Sequence, residues 1–165
     1  MSKEVFPGRY TAEEKQDVVV FVIGMRVNKW WAIHKWLPVF AAMPGMIKEL
    51  LINKSLGCLS MESFFGRTTL MIQYWRSTED LLSYAHGEKH LTAWKNFNKR
   101  VGDNKAVGIY HETYIVPKDN SECIYGNMPK FGLSKALGHT PITSKSSTAK
   151  KRLRPNHQSK SEAST

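Results

Sequence analysis

The sequence predicts an α+β fold on the ferredoxin-like βαββαβ plan, and three observations carry that prediction. Four apolar, strand-like runs alternate with two helical stripes in that order. Turn and capping signals fall between them where the plan needs them. Finally, neither face of the later strands is polar enough to be left in water, so a second subunit is expected to pack sheet to sheet.

The elements follow in order. Asp17–Val27, DVVVFVIGMRV, is apolar and β-branched almost throughout, the pattern of a strand covered on both faces. Lys35–Asn53 places Trp36, Phe40, Met43, Ile47, Leu50 and Leu51 on one helical stripe. Pro38 fits a first helical turn, where a missing N–H costs nothing, and Pro44 is expected to kink the helix. Leu56–Phe64 and Arg67–Arg76 read as a hairpin around Phe65-Gly66. Ser77 supplies an N-cap with Glu79 and Asp80 in the first turn, and the helix beyond it pauses at Gly87 and resumes to Arg100. Val101–Lys105 reads as a turn, and Ala106–Pro117 as the last strand. The chain thus divides into an N-terminal arm (1–16), a ferredoxin-like α/β-barrel domain (17–133) and a basic disordered tail (134–165).

Composition excludes several classes of function. No apolar run approaches the roughly 20 residues a membrane helix needs, and the first residues are charged rather than leader-like, so a cytoplasmic protein is expected. Cys58 and Cys123 stand in no metal or redox spacing. The net charge of +10 is unevenly placed: residues 141–165 hold six Lys/Arg against one acid, Glu162, and so carry half of it. That tail can contact anionic partners weakly or be simply solvated, and the folded part is too mildly basic for sequence-specific nucleic-acid binding. There is no GxGxxG, P-loop or GxSxG signature, which removes nucleotide-dependent and serine-hydrolase chemistry.

Several stretches are specific enough to carry a family resemblance: GMRVNKWWAIHKWLPVFAAMPGMIKEL, FGRTTLMIQYWRSTEDLLSYA, HLTAWKNFN, VGIYHETY and CIYGNMPKFG. Over about Val18 to Gly132 they resemble a monooxygenase-like family formerly described as being of unknown function. It belongs to the dimeric α/β-barrel superfamily of the antibiotic-biosynthesis-type monooxygenases. The resemblance implies a homodimer acting on a small hydrophobic substrate and dioxygen without a cofactor. The same superfamily holds haem enzymes and plain binding proteins, so a haem-binding protein and a non-catalytic ligand-binding protein stand as alternatives.

Candidate site residues follow from chemistry and position. Arg26 and Asn28 end the first strand, and Trp31, His34 and Trp36 follow as the chain turns into the helix. Arg26 can hold an enolate oxygen and the tryptophans can wall a planar substrate, or the tryptophans cover the barrel mouth with Asn28 capping the helix. Arg67, Gln73 and Trp75 share one strand face. Arg67 is either a substrate clamp or the partner of Glu112. His111 can take a proton from an acidic C–H, starting oxygenation in which the substrate itself reduces dioxygen, or it is structural. Tyr114 lies on the last strand with Glu112, on the face opposite His111.

Together these give His111, Asn28 and Trp75 as catalytic candidates and Arg26, Trp31, His34, Trp36, Arg67, Gln73 and Tyr114 as substrate-binding candidates. His34, His86, His90 and His111 are the eligible axial ligands if haem is bound. Asn28, Trp75 and a histidine of the second helix resemble the Asn/Trp/His set of the superfamily's haem-degrading members. No metal site is expected, since His86 and His90 lack a third ligand.

Overall fold

The computed structural model describes residues 4–13, 15–100 and 105–153. They form two compact units, one over Val19–Tyr114 and the other from the described residues of Met1–Val18 and Ile115–Thr165.

The first unit carries the ferredoxin-like α+β core. Its strands are β2 (Val18–Val27), β3 (Cys58–Phe64), β4 (Leu70–Trp75) and β5 (Val107–Val116), in the spatial order β3-β4-β2-β5; β1 is an arm strand of the other unit. Its helices are α1 (Ile33–Ile52), α2 (Thr78–Ala85) and α3 (Glu88–Arg100). β4 pairs antiparallel with both neighbours, Gln73 lying opposite Phe21 on β2 and Met61 on β3. Alternation then decides the faces. Met71, Gln73 and Trp75 are buried, while Leu70, Ile72 and Tyr74 are half-buried on the other side.

The helices pack on the first of these faces. Val19, Met61, Met71 and Trp75 of the strands form a core cluster with Leu50 of α1 and Leu81 of α2. A second cluster joins Met25, Val27 and Val107 to Trp36, Val39 and Phe97. Ser77 caps α2 as expected, its hydroxyl accepting the Asp80 N–H at 3.1 Å. Asp80 in turn takes two hydrogen bonds from the Arg76 guanidinium, which holds its carboxyl below the usual range. The pause at Gly87 is real and separates α2 from α3.

Two expectations about α1 are corrected. The helix begins at Ile33, so Pro38 lies in its second turn rather than its first, and the helix runs on through Pro44. Its N-cap is Ala32, with no side-chain cap, so Asn28 does not cap it.

On the sheet face away from the helices, the Tyr110 hydroxyl on β5 donates to the Thr69 carbonyl at 2.9 Å. The Tyr110 side chain reaches Thr69 across Gly24 of β2, and a Cβ at Gly24 would overlap both the Thr69 carbonyl oxygen and the Tyr110 ring.

The second unit is a small antiparallel sheet of β1 (Phe6–Ala12), β6 (Tyr125–Met128) and β7 (His139–Pro141), ordered β6-β1-β7, with α4 (Leu133–Leu137) and α5 (Ala149–Arg152). The Cys123 carbonyl accepts the Thr11 hydroxyl at 2.9 Å, and its sulfur accepts the Ala12 N–H at 3.2 Å. Part of the stretch assigned to the basic tail is therefore ordered. Arg152, counted there as a solvated cation, is paired with Glu122 and donates to the Ser146 carbonyl at 2.9 Å. Residues 154–165 and most of the Val101–Lys105 turn lie outside the described residues. No described helix is long and apolar enough to cross a membrane.

Gly24→Ala is expected to destabilise the protein by about 1–3 kcal/mol through overpacking. A lowered urea midpoint at unchanged slope checks this; an unchanged midpoint contradicts the close approach.

Candidate functional site

A cavity of about 510 Å³ lies between the sheet and the three helices of the first unit. Its floor is set by strand parity: Phe21, Ile23 and Met25 of β2, Met71 and Gln73 of β4, and Ile109, His111 and Thr113 of β5 all project from the helix-covered face. Its roof is Val39, Met43, Met46 and Ile47 of α1, with Tyr84 and His86 at the end of α2 and His90, Trp94 and Phe97 of α3. The α3 contribution is a helical stripe at i, i+4 and i+7, which places three rings on one side. No described lining residue is Lys, Arg, Asp or Glu. An apolar chamber with a few polar groups is the usual build of a small-molecule site.

The polar groups form a sparse set. Trp75 is fully buried, at 0% exposure, and its indole N–H donates to Gln73 Oε1 at 2.9 Å. The Gln73 amide nitrogen contacts only Met71 Sδ, at 3.1 Å. His111 packs against Phe21, ring centroids 5.8 Å apart. His86 donates from Nδ1 to the Leu82 carbonyl at 2.7 Å, which leaves its Nε2 as an acceptor. The Tyr84 ring sits between Trp75 (5.5 Å) and His90 (6.0 Å). Its hydroxyl is buried without a hydrogen-bond partner among the described residues. Burial first, then the nearby Glu49 and Cys58, push its pKa up to about 12.

The residues singled out in the sequence divide between this cavity and other places. His111 and Gln73 line it, and Trp75 stands behind Gln73. Arg26, Asn28, Trp31, His34, Trp36, Arg67 and Tyr114 are absent from the lining. Arg26 is exposed and donates to the Thr68 hydroxyl at 2.9 Å. Trp31 is 78% exposed, and His34 and Asn28 are exposed as well. Trp36 donates its indole N–H to the Trp30 carbonyl at 3.1 Å and packs edge-on to the Trp30 ring.

The Arg67–Glu112 pair does not form. β4 begins at Leu70, so Arg67 lies before the strand and donates to the Val27 carbonyl at 3.3 Å. Glu112 instead accepts from the Tyr114 hydroxyl, on the face opposite His111.

The haem candidates His86, His90 and His111 reach the cavity, and His34 does not. Among the described residues no three His, Cys, Asp or Glu side chains come together as metal ligands. Tyr84, Trp94, Phe97, Phe21 and the methionines escaped the sequence reading, although His90, Trp94 and Phe97 stand at helical spacing.

A family described as Monooxygenase af470-like matches residues 18–133. Monooxygenase af470 of Aspergillus fumigatus is 30% identical over 128 residues, which cover 68% of this chain and 44% of that protein. The chain therefore spans less than half the length of that relative. Among solved structures, the aldoxime dehydratase OxdRE in complex with butyraldoxime aligns with a TM-score of 0.64 at 15% identity, over 84% of this chain and 43% of its own. SnoaB, a cofactor-independent oxygenase from Streptomyces nogalater, aligns with a TM-score of 0.43 at 11% identity, over 59% of this chain and 91% of its own.

Tyr84→Phe removes a buried donor that has no partner and is expected to stabilise the protein by about 1 kcal/mol. The folded-state pKa of Tyr84 lies above the ordinary value of 10, so its contribution is intact below pH 10 and is lost as pH rises toward 12. The variant should accordingly resist alkaline unfolding better than the parent. A lower urea midpoint for Tyr84→Phe at neutral pH, with the same alkaline midpoint as the parent, contradicts both points.

Proposed function

Because the chain belongs to the Monooxygenase af470-like family, which matches residues 18–133, we propose that it is a monooxygenase that needs no cofactor. Its substrate is an uncharged, hydrophobic small molecule held in the cavity between the sheet and α1, α2 and α3. The observation that carries this reading is the lining: a chamber of about 510 Å³ with no charged side chain among its described lining residues, into which one imidazole, His111, projects from the sheet beside Phe21.

In this reaction His111 acts as the base. A neutral imidazole accepts the proton of an activated CH₂ of the substrate. The carbanion left behind reduces dioxygen, a C–O bond forms, and the peroxide anion takes the proton back from the imidazolium. Loss of water across the resulting CH–OOH leaves a carbonyl, so one oxygen atom stays on the substrate and the other leaves as water. The substrate supplies all four electrons that reduce dioxygen, two on forming the hydroperoxide and two on losing water, and no outside reductant enters. Assistance by arginine, expected from the sequence, has no support in the geometry, since Arg26 and Arg67 lie off the cavity wall.

Haem finds eligible donors in His86, His90 and His111, but no described lining side chain carries a positive charge to meet its carboxylates, so the described lining does not fit haem. A non-catalytic ligand-binding protein would share the cavity without the proton transfer.

The protein also acts as a homodimer in this reading. Val20, Val22, Ile72 and Tyr74 make the sheet face away from the helices apolar, and all four are half-buried in one chain. A second copy packing sheet to sheet completes their burial.

Two experiments test these statements. Haem-free protein incubated with 2-tetralone under ¹⁸O₂ is expected to place one labelled oxygen on the ketone, and His111→Ala to slow this at least 100-fold, in the range of general-base catalysis. Equal rates for both proteins, or a rate that appears only on adding haem, would sink the proposal. Ile72→Glu is expected to turn a dimer into a folded monomer by light scattering; a parent that is already monomeric contradicts the sheet-to-sheet pairing.

A further inference from the structure

The hydrogen-bond inventory of the cavity says what kind of atom its occupant must bring. Trp75 is fully buried, and its indole N–H can only donate. It donates to Gln73 at 2.9 Å, so the oxygen of the Gln73 amide must face the indole. The NH₂ end is thereby turned the other way. Gln73 is itself buried, at 6% exposure, and among the described residues that NH₂ meets only the Met71 thioether, a weak acceptor, at 3.1 Å. A buried amide with a strong donor and no strong acceptor is an uncommon arrangement in a native core. The Tyr84 hydroxyl, buried in the lining without a hydrogen-bond partner among the described residues, can also donate.

Register fixes where this donor stands. Gln73 on β4 lies opposite Phe21 on β2, and Phe21 touches His111, which projects from β5 on the far side of β2. Amide, aromatic ring and imidazole therefore form one row across three strands. With strands about 4.8 Å apart, the outer two backbones are roughly 10 Å from each other.

We infer that Gln73 binds an oxygen atom of the ligand: the cavity selects an apolar molecule that carries a hydrogen-bond acceptor, a ketone or a similar neutral oxygen, laid across Phe21 between Gln73 and His111. Trp75 is a positioning residue. It touches no ligand and acts by holding the amide in the donating orientation. The inference rests on the cavity's being the substrate site, as proposed above, and adds the chemistry that the substrate must display there. Burying the ligand's oxygen beside a waiting donor discriminates strongly against an analogue without it, because the analogue leaves the amide unpaired.

The test uses two probes of nearly equal shape, 2-acetylnaphthalene and 2-ethylnaphthalene, with binding measured by calorimetry on the full chain. Transfer out of water alone favours the hydrocarbon, so a preference for the ketone reports a hydrogen bond. The parent protein is expected to bind the ketone about tenfold more tightly than the hydrocarbon, and the bound ketone's infrared carbonyl stretch to move to lower frequency. Gln73→Met keeps the volume of the side chain. It is expected to abolish both the preference and the shift while leaving hydrocarbon affinity within about twofold. Trp75→Phe should reduce the preference by loosening the amide, and an unreduced preference in that variant overturns the positioning role.

Equal binding of both probes by the parent, with no change in Gln73→Met, overturns the inference and leaves the cavity reading standing. Failure of both probes to bind the parent overturns the cavity reading itself. Circular dichroism of each variant separates loss of binding from loss of fold.

Discussion

A buried indole that can donate but not accept must find an acceptor, and in this protein that requirement organises the centre of the fold. Trp75 ends β4, the strand paired on both sides, and packs under Leu81 of α2 and Leu50 of α1. Its N–H must be met within the strand's own reach, and Gln73, two residues back on the same face, meets it. An apolar residue at position 73 would leave a donor orphaned in the core at a cost of about 1–3 kcal/mol. A polar side chain that can accept is therefore favoured beside Trp75 on this face of β4.

The same wall is the reason the proposed reaction is given an imidazole base. With no carboxylate or cation among the described lining residues, a charged reactant inside the cavity has no local counter-charge there. A neutral base that becomes charged only as the substrate does keeps the pair balanced throughout the proton transfer. In the proposed reaction His111 has this part, and its ring lies against Phe21. The exposed Arg26 and Arg67 are bound to Thr68 and the Val27 carbonyl, where they brace the start of the hairpin against β2.

Much of this was legible in the sequence because the signals are local. The alternation in LMIQYW and VGIYHETYIV put Gln73 with Trp75 and His111 with Thr113 on shared faces, and the structure keeps both groupings. Ser77 and Gly87 marked real helix boundaries. What failed depended on distance in three dimensions. The cluster from Arg26 to Trp36 looked like a pocket because aromatic and cationic residues crowd there, yet α1 starts at Ile33 and turns most of them outward. Arg67 was read as a strand residue in need of a partner, and β4 begins three positions later. β1, β6 and β7 were not foreseen at all. They are short, and the alternation of FPGRYTA is broken by Gly8, whose φ of +97° marks an irregular edge where β1 shifts register against β6.

The prolines of α1 have a consequence for the roof of the cavity. Pro38 and Pro44 bring no N–H to the carbonyls of His34 and Phe40, and Pro44 is followed by Gly45, a poor helix former. The helix that roofs the cavity thus lacks two of its backbone hydrogen bonds, and it lacks them beside the lining residues Val39, Met43 and Met46. The floor has no such weakness, since β4 is bonded along both edges. Of the two walls of the cavity, the helical roof therefore has the fewer backbone hydrogen bonds to break.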